Sequence, residues 1–339
     1  MVNVLLTGGS GFIAAHILEQ LLDQGHQVTT TVRSEDKAQK LREAHKDKAE
    51  RLNVVIVPDI AADGAFDDVA KTPGIEVVMH TASPFHFKWT DGQKEVIEPA
   101  LKGTNGILKA IKAHAPGVKR LIITSSFASI LDDAKLEDPN QVFTEKSWNP
   151  STMDDLDKDR PTVYRLSKKY AEKAAWDFVE AEKPNFDVVT ICPPLVLGPV
   201  VHHLATLDSI NTSNERIVAL VQGKWREAIP STGPVQFWVD VRDVAKAHIL
   251  AMDRPEAGGK RLFTIAGYFS NREILDIVRA NFPDLEDRLP PGDLKGGDPA
   301  PADRICKFNN DETVKVLGIE WTSLESSMVE LVKSVRDRI

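Results

Sequence analysis

The stretch Thr7-Gly8-Gly9-Ser10-Gly11-Phe12-Ile13-Ala14 closes a short β-branched run, residues 2–7, and opens an amphipathic stretch reaching residue 24. Strand, glycine turn and helix in that order make a phosphate cradle. Gly8 permits the tight turn, Gly11 lets a pyrophosphate approach the backbone, and Ala14 allows helix and strand to pack closely. Free N–H groups and the positive dipole end at the helix start then face the anion. Gly8, Ser10, Gly11, Phe12 and Ile13 are the candidate contacts. A glycine turn without a ligand is the plainer reading, and the position at a strand–helix junction argues against it. No GxxxxGK[ST] string occurs, so a P-loop nucleotidase is not supported.

The same alternation continues downstream. Runs at 27–32, 53–57, 75–81, 118–124 and 186–191 are separated by helix-like stretches near 35–50, 94–114 and 161–182. This pattern predicts βαβ units: a doubly wound, Rossmann-type parallel sheet in an α/β protein. Gly25 ends the first helix and Ser34 caps the second. The acidic stretch 131–160 reads as a long, partly ordered loop, and after Pro193 prolines and glycines punctuate short elements. The expected division is a nucleotide-binding domain over 1–192 plus about 237–265. A smaller, irregular α/β substrate-binding portion takes 193–236 and 266–339.

Composition narrows the function classes. In 339 residues, 42 basic side chains face 50 acidic ones, a net charge of −8 that disfavours nucleic-acid binding. Two distant cysteines, Cys192 and Cys306, offer neither a disulfide framework nor a thiolate zinc site and fit a reducing compartment. The N-terminal segment is neither a signal peptide nor a membrane span, so a cytoplasmic protein is expected. Nine histidines show no HExxH, and the adjacent His202-His203 pair reads as a loop rather than a metal site.

About 20 residues beyond the glycine turn, enzymes using NAD place an acid on the ribose 2′-hydroxyl. This chain has Arg33 there, with Lys37 one turn later. A carboxylate would repel a 2′-phosphate, whereas two cations neutralise it, so NADPH/NADP+ is the expected cofactor.

Tyr164-Arg165-Leu166-Ser167-Lys168 sets tyrosine and lysine four apart, on one helix face. An adjacent ammonium favours the phenolate and draws the tyrosine toward its working range. The pattern alone is weak; its company gives it weight. Thr124-Ser125-Ser126 ends the fifth strand, where doubly wound folds place ligand-facing groups, and a hydroxyl there can stabilise developing alkoxide charge.

These strings, with Val57-Pro58-Asp59-Ile60, His80-Thr81-Ala82-Ser83-Pro84-Phe85, Ala174-Ala175-Trp176 and Val239-Asp240-Val241-Arg242-Asp243, resemble the extended short-chain dehydrogenase/reductases. Within them, the chain is similar to the dihydroflavonol-4-reductase-like group. The strings at 145–150 and 241–248 look most like fungal methylglyoxal/3-methylbutanal and ketone (carbonyl) reductases. The resemblance implies NADPH-dependent carbonyl reduction. Tyr164 would donate the proton, Lys168 would hold the nicotinamide ribose and tune Tyr164, and Ser126 would position the carbonyl. Asp59 and Ile60 would flank adenine, Thr81, Ala82 and Ser83 would line the dinucleotide groove, and Pro193 and Val196 would lie at the nicotinamide end. Cys192 departs from the pattern, which has Asn there. Phe85, Leu131 and Val196 are the expected substrate lining. Leu131 replaces a polar Asn of plant flavonoid reductases, which argues against a polyhydroxylated substrate.

The expected substrate is thus a small neutral carbonyl compound, handled without nucleic acid or membrane by a monomer or homodimer. Two other readings share the fold. A nucleotide-sugar epimerase or dehydratase would favour NAD, against Arg33; a non-catalytic NADP-binding redox sensor would commonly lack the tyrosine–lysine pair.

Overall fold

In the computed structural model, which describes residues 1–83 and 89–339, the alternating runs form one parallel sheet of seven strands. The first five strands are β1 (Asn3–Thr7), β2 (Gln27–Val32), β3 (Leu52–Ile56), β4 (Val77–His80) and β5 (Arg120–Thr124). Then come β6 (Val142–Phe143), β7 (Asp187–Ile191), β8 (Leu195–Leu197) and β9 (Phe237–Asp240). The last are β10 (Arg261–Leu262), β11 (Gly267–Tyr268) and β12 (Lys307–Phe308). The large sheet runs β10-β7-β5-β4-β1-β2-β3, with Thr7 beside His80 where the order reverses. Doubly wound sheets bind their ligands at that reversal, beyond the carboxyl ends of the strands.

The helices are α1 (Phe12–Asp23), α2 (Glu35–Ala44), α3 (Asp67–Ala70), α4 (Glu98–His114) and α5 (Arg160–Glu182). They continue as α6 (Glu215–Val221), α7 (Val241–Asp253), α8 (Asn271–Asn281), α9 (Asp311–Leu317) and α10 (Leu324–Val335). Side chains alternate across the central strands as pleating requires. Val4, Leu6, Val77, Met79 and Ile122 pack with Ile17 and Leu21 of α1 and Val244 of α7. Leu5, Val78, Leu121 and Ile123 pack on the other face with Ile107 and Ile111 of α4 and Ala175 of α5. Both faces are dry, hence the nearly continuous apolar runs.

Beyond β7 the chain builds a second layer. Strands β8 and β9 pair in parallel and β11 joins antiparallel, over a core where Trp225, Trp238, Ile274, Val278, Met328 and Leu331 meet. Helix α7 and strand β10 then return to the large sheet.

Two local readings differ from expectation. The helix expected from residue 94 begins with a π turn, Gln93–Ile97, before α4. Pro99 lacks an N–H and crowds the carbonyl four residues back, and a wider turn accommodates it. The segment expected as a loop carries β6, paired in parallel with β12. A two-residue strand is too short to show a period. Among the described residues, no helix is long and apolar enough to cross a membrane.

Candidate active site

The turn after β1 is shaped by contact as well as by backbone freedom. Gly8 has φ of 77°, and a Cβ on it would stand 3.2 Å from Ala82 Cα. Glycine therefore suits both the left-handed turn and the close approach of the two strand ends. Gly8 N donates to Thr31 Oγ1 at 3.1 Å, Ala82 N donates to Thr7 Oγ1 at 3.1 Å, and the Thr81 hydroxyl donates to the Thr7 carbonyl. Helix α1 starts at Phe12 with no side-chain cap, so its first-turn N–H groups face the crevice without a capping acceptor. That cradle fits a dinucleotide pyrophosphate.

Arg33 is exposed and Lys37 half-buried at the end of β2 and start of α2. The neighbouring acids point elsewhere: Glu35 pairs with Arg42 at 2.7 Å and Asp36 with Lys40 at 2.8 Å. Burial, then the Arg33 charge, pushes the Lys37 ammonium below its ordinary value. Two neighbouring cations that repel each other are what a 2′-phosphate would relieve. Asp59 Oδ1 accepts from Ala61 N at 2.8 Å, and Ile60 lies against Gly103 of α4.

Asp159 caps α5, accepting from Thr162 N at 2.7 Å, and this fixes where the helix starts. Tyr164 and Lys168 then follow on one face. Ser126 is half-buried at the end of β5, where its Oγ accepts from Ala128 N at 3.1 Å and hydrogen-bonds with Tyr164. Its neighbour Ser125 turns inward instead, so the two adjacent serines have different surroundings. Lys168 is buried, with Nζ 3.5 Å from the Thr124 carbonyl. Burial pushes it down to about 8, while Cys192 and then Glu172 pull upward. Tyr164 departs from the sequence expectation. Burial pushes its hydroxyl above the ordinary value and the Ser126 hydrogen bond opposes the push. The phenol therefore keeps its proton, and the Lys168 ammonium faces the Thr124 carbonyl.

The remaining expected residues are dispersed around this centre. Thr81, Ala82 and Ser83 are half-buried at the end of β4. Pro193 is buried beside the serine pair, its carbonyl accepting from Phe127 N at 2.8 Å. Val196 packs in β8, and Leu131 sits 4% exposed among Phe127, Phe143 and Phe263, so neither presents much surface. Phe85 lies outside the described residues.

Motif reading missed the polar groups behind the site. Glu172 continues the Tyr164–Lys168 series by one more helical turn, and that spacing could have found it. Buried His80 and His248 flank the strand ends: Thr7 Oγ1 lies 2.9 Å from His80 Nδ1 and Thr124 Oγ1 2.7 Å from His248 Nε2.

Comparison with known proteins agrees with this architecture. The model of the NAD dependent epimerase/dehydratase family matches residues 4–266, and the chain belongs to that family. Ketoreductase azaE of Aspergillus niger is 45% identical over 99% of this chain and 98% of its own. NADPH-dependent methylglyoxal reductase GRE2 of Saccharomyces cerevisiae is 35% identical, covering 98% of both chains. The crystal structure of Gre2 in complex with NADPH from Candida albicans superposes with a TM-score of 0.93. It is 36% identical and covers 100% of this chain and 99% of that one.

Proposed function

We propose that this protein is an NADPH-dependent carbonyl reductase that converts neutral aldehydes and ketones to alcohols. The observation that carries the reading is the Ser126–Tyr164 hydrogen bond with Lys168 one turn away, at the sheet end where the Gly8 cradle opens. Arg33 and Lys37 favour NADPH over NADH, in keeping with the similarity to reductases named as NADPH-dependent.

When bound, the reduced nicotinamide supplies the hydride to the carbonyl carbon. Ser126 donates a hydrogen bond to the carbonyl oxygen and fixes its direction. Tyr164, neutral because burial holds its proton on, transfers that proton to the same oxygen as charge develops there. Lys168 would hold the nicotinamide ribose and, on one helix face with Tyr164, would tune the phenol as its proton leaves.

The lining expected from the sequence is apolar, so selection would be by shape and area. Residues 193–236 and 266–339 supply the substrate-binding portion. Both cysteines are buried free thiols, which supports the cytoplasm as the compartment. The test is kcat/KM with NADPH across matched neutral and anionic carbonyl compounds. Neutral branched or aryl compounds are expected to lead, because a buried methylene is worth about 0.8 kcal/mol, or roughly fourfold. Preference for a charged 2-oxo acid or a nucleotide sugar would overturn the reading.

A further inference from the structure

Glu172 lies fully buried one helical turn beyond Lys168, and nothing in the reaction as derived above uses it. Its carboxylate is surrounded by donors. Oε2 accepts from the hydroxyls of Ser125 and Ser129, each at 2.5 Å. Oε1 accepts from Arg261 Nε at 2.6 Å, Thr190 Oγ1 at 3.0 Å and Trp176 Nε1 at 3.3 Å. Arg261 is itself held by the carbonyls of Glu145 and Ser147 at 2.8 and 2.6 Å and stacks over Trp148.

A buried carboxylate is costly unless charge and hydrogen bonds compensate it, and here both do. Burial alone would push Glu172 up, but the Arg261 charge and the hydrogen bonds from Arg261, Ser125 and Ser129 hold it below its ordinary value. It is therefore ionised throughout the neutral range. Two of its partners, Ser125 and Ser129, bracket Ser126 in the chain, and Ser125 directly follows the carbonyl that Lys168 touches.

We propose that Glu172 is the positioning residue of the site: it fixes Ser126 through Ser125 and Ser129 and sets its negative charge one helical turn from the Lys168 ammonium. The proposal rests on reading Ser126, Tyr164 and Lys168 as the reacting groups. The titratable groups around Lys168 leave Glu172 as the source of that charge. His80 on β4 is buried and neutral, pushed down to about 3. Cys192, after β7, is pushed up to about 12 by burial and then by Glu172, so it stays a thiol. His248 on α7 is neutral, pushed down to about 4. Arg261 on β10 is already committed to Glu172. Tyr164 is a neutral phenol.

The experiment compares pH profiles of kcat for the wild type, Glu172→Gln and the double variant Ser125→Ala/Ser129→Ala, with NADPH Kd measured alongside. For Glu172→Gln, kcat falls roughly 10–100-fold. Its alkaline limb also moves toward acid by about one pH unit, because Lys168 then loses its proton earlier. The serine variant keeps the charge, so its kcat falls with the limb in place and NADPH Kd unchanged. A folded Glu172→Gln enzyme with wild-type kcat, or with an unmoved limb, overturns the proposal even if its melting temperature drops. Should Glu172→Gln not fold, the serine variant decides: wild-type kcat overturns the assignment and a selective loss of kcat supports it. Tyr164→Phe is run in parallel. If that variant turns over normally, the reading of the reacting groups fails; if it is inactive while Glu172→Gln is normal, only the role of Glu172 fails.

Discussion

Gly9 and Thr30 share one space: a Cβ on Gly9 would stand inside 3.0 Å of Thr30 Oγ1, a separation that real Cβ atoms do not show. Thr30 cannot simply turn away, because its hydroxyl donates to the Leu6 carbonyl at 2.8 Å between β2 and β1. The cradle and the sheet are thus coupled at a single contact.

Gly9→Ala is expected to destabilise the fold by about 1–3 kcal/mol through overpacking. Adding Thr30→Ala should recover part of that loss, since it removes the obstructing hydroxyl. Urea denaturation of both single variants and the pair gives the coupling directly. Strictly additive effects would show that the strain lies elsewhere.

Arg33→Ala should raise the KM for NADPH far more than that for NADH. One charged hydrogen bond to a phosphate contributes about 1.5–3 kcal/mol, or roughly 10–150-fold. Steady-state kinetics with the two cofactors reads the difference, and equal effects on both would count against the 2′-phosphate assignment.

Tyr164→Phe keeps the ring and deletes the proton, so NADPH affinity should persist while kcat falls by roughly 10²–10⁴. Lys168→Ala should impair both cofactor binding and turnover, because it is assigned to both. Near-normal turnover in Tyr164→Phe would contradict the proposed proton transfer.

The buried histidines make stability depend on acid. His248 Nδ1 lies 2.7 Å from the Val244 carbonyl, which can only accept, so Nδ1 carries the proton and Nε2 accepts from Thr124. Burial pushes His248 down to about 4 and His80 down to about 3, against 6.5 when unfolded. Below pH 6.5 the unfolded chain binds protons that the folded one refuses. The free energy of unfolding therefore falls as pH drops, by about 1.4 kcal/mol per pH unit per histidine until the folded value is reached. Denaturant titrations between pH 7 and pH 4 should show this slope, and His248→Gln should reduce it. An unchanged slope in that variant would remove His248 as a source.

The placements of Gly8, Arg33, Tyr164 and Lys168 were legible in the sequence because they are local: a turn beside a strand, a charge after the next strand, one helical turn. The large sheet was legible for a related reason, since Val4, Leu5 and Leu6 belong to a strand buried on both faces. The Glu172–Arg261 pair was not, because 89 residues separate the two and the β10–β7 pairing brings them together. The β6–β12 pair was hidden likewise, each strand being two residues long. The elevated Tyr164 comes from its burial, which spacing along a helix does not specify.

Strand β10 closes the large sheet only after the chain has left it and built β8, α6 and β9, and Arg261 travels with it. During synthesis, everything through β7 emerges with Glu172 still lacking its counter-ion and with one edge of the sheet open. Such an edge is an aggregation liability while it waits for its partner. Chains truncated before residue 261 should therefore be captured by chaperones or precipitate, whereas chains extending past β10 should gain protease resistance together with a completed edge. The large sheet of this protein is finished late, by a strand that follows β8, α6 and β9 in the chain.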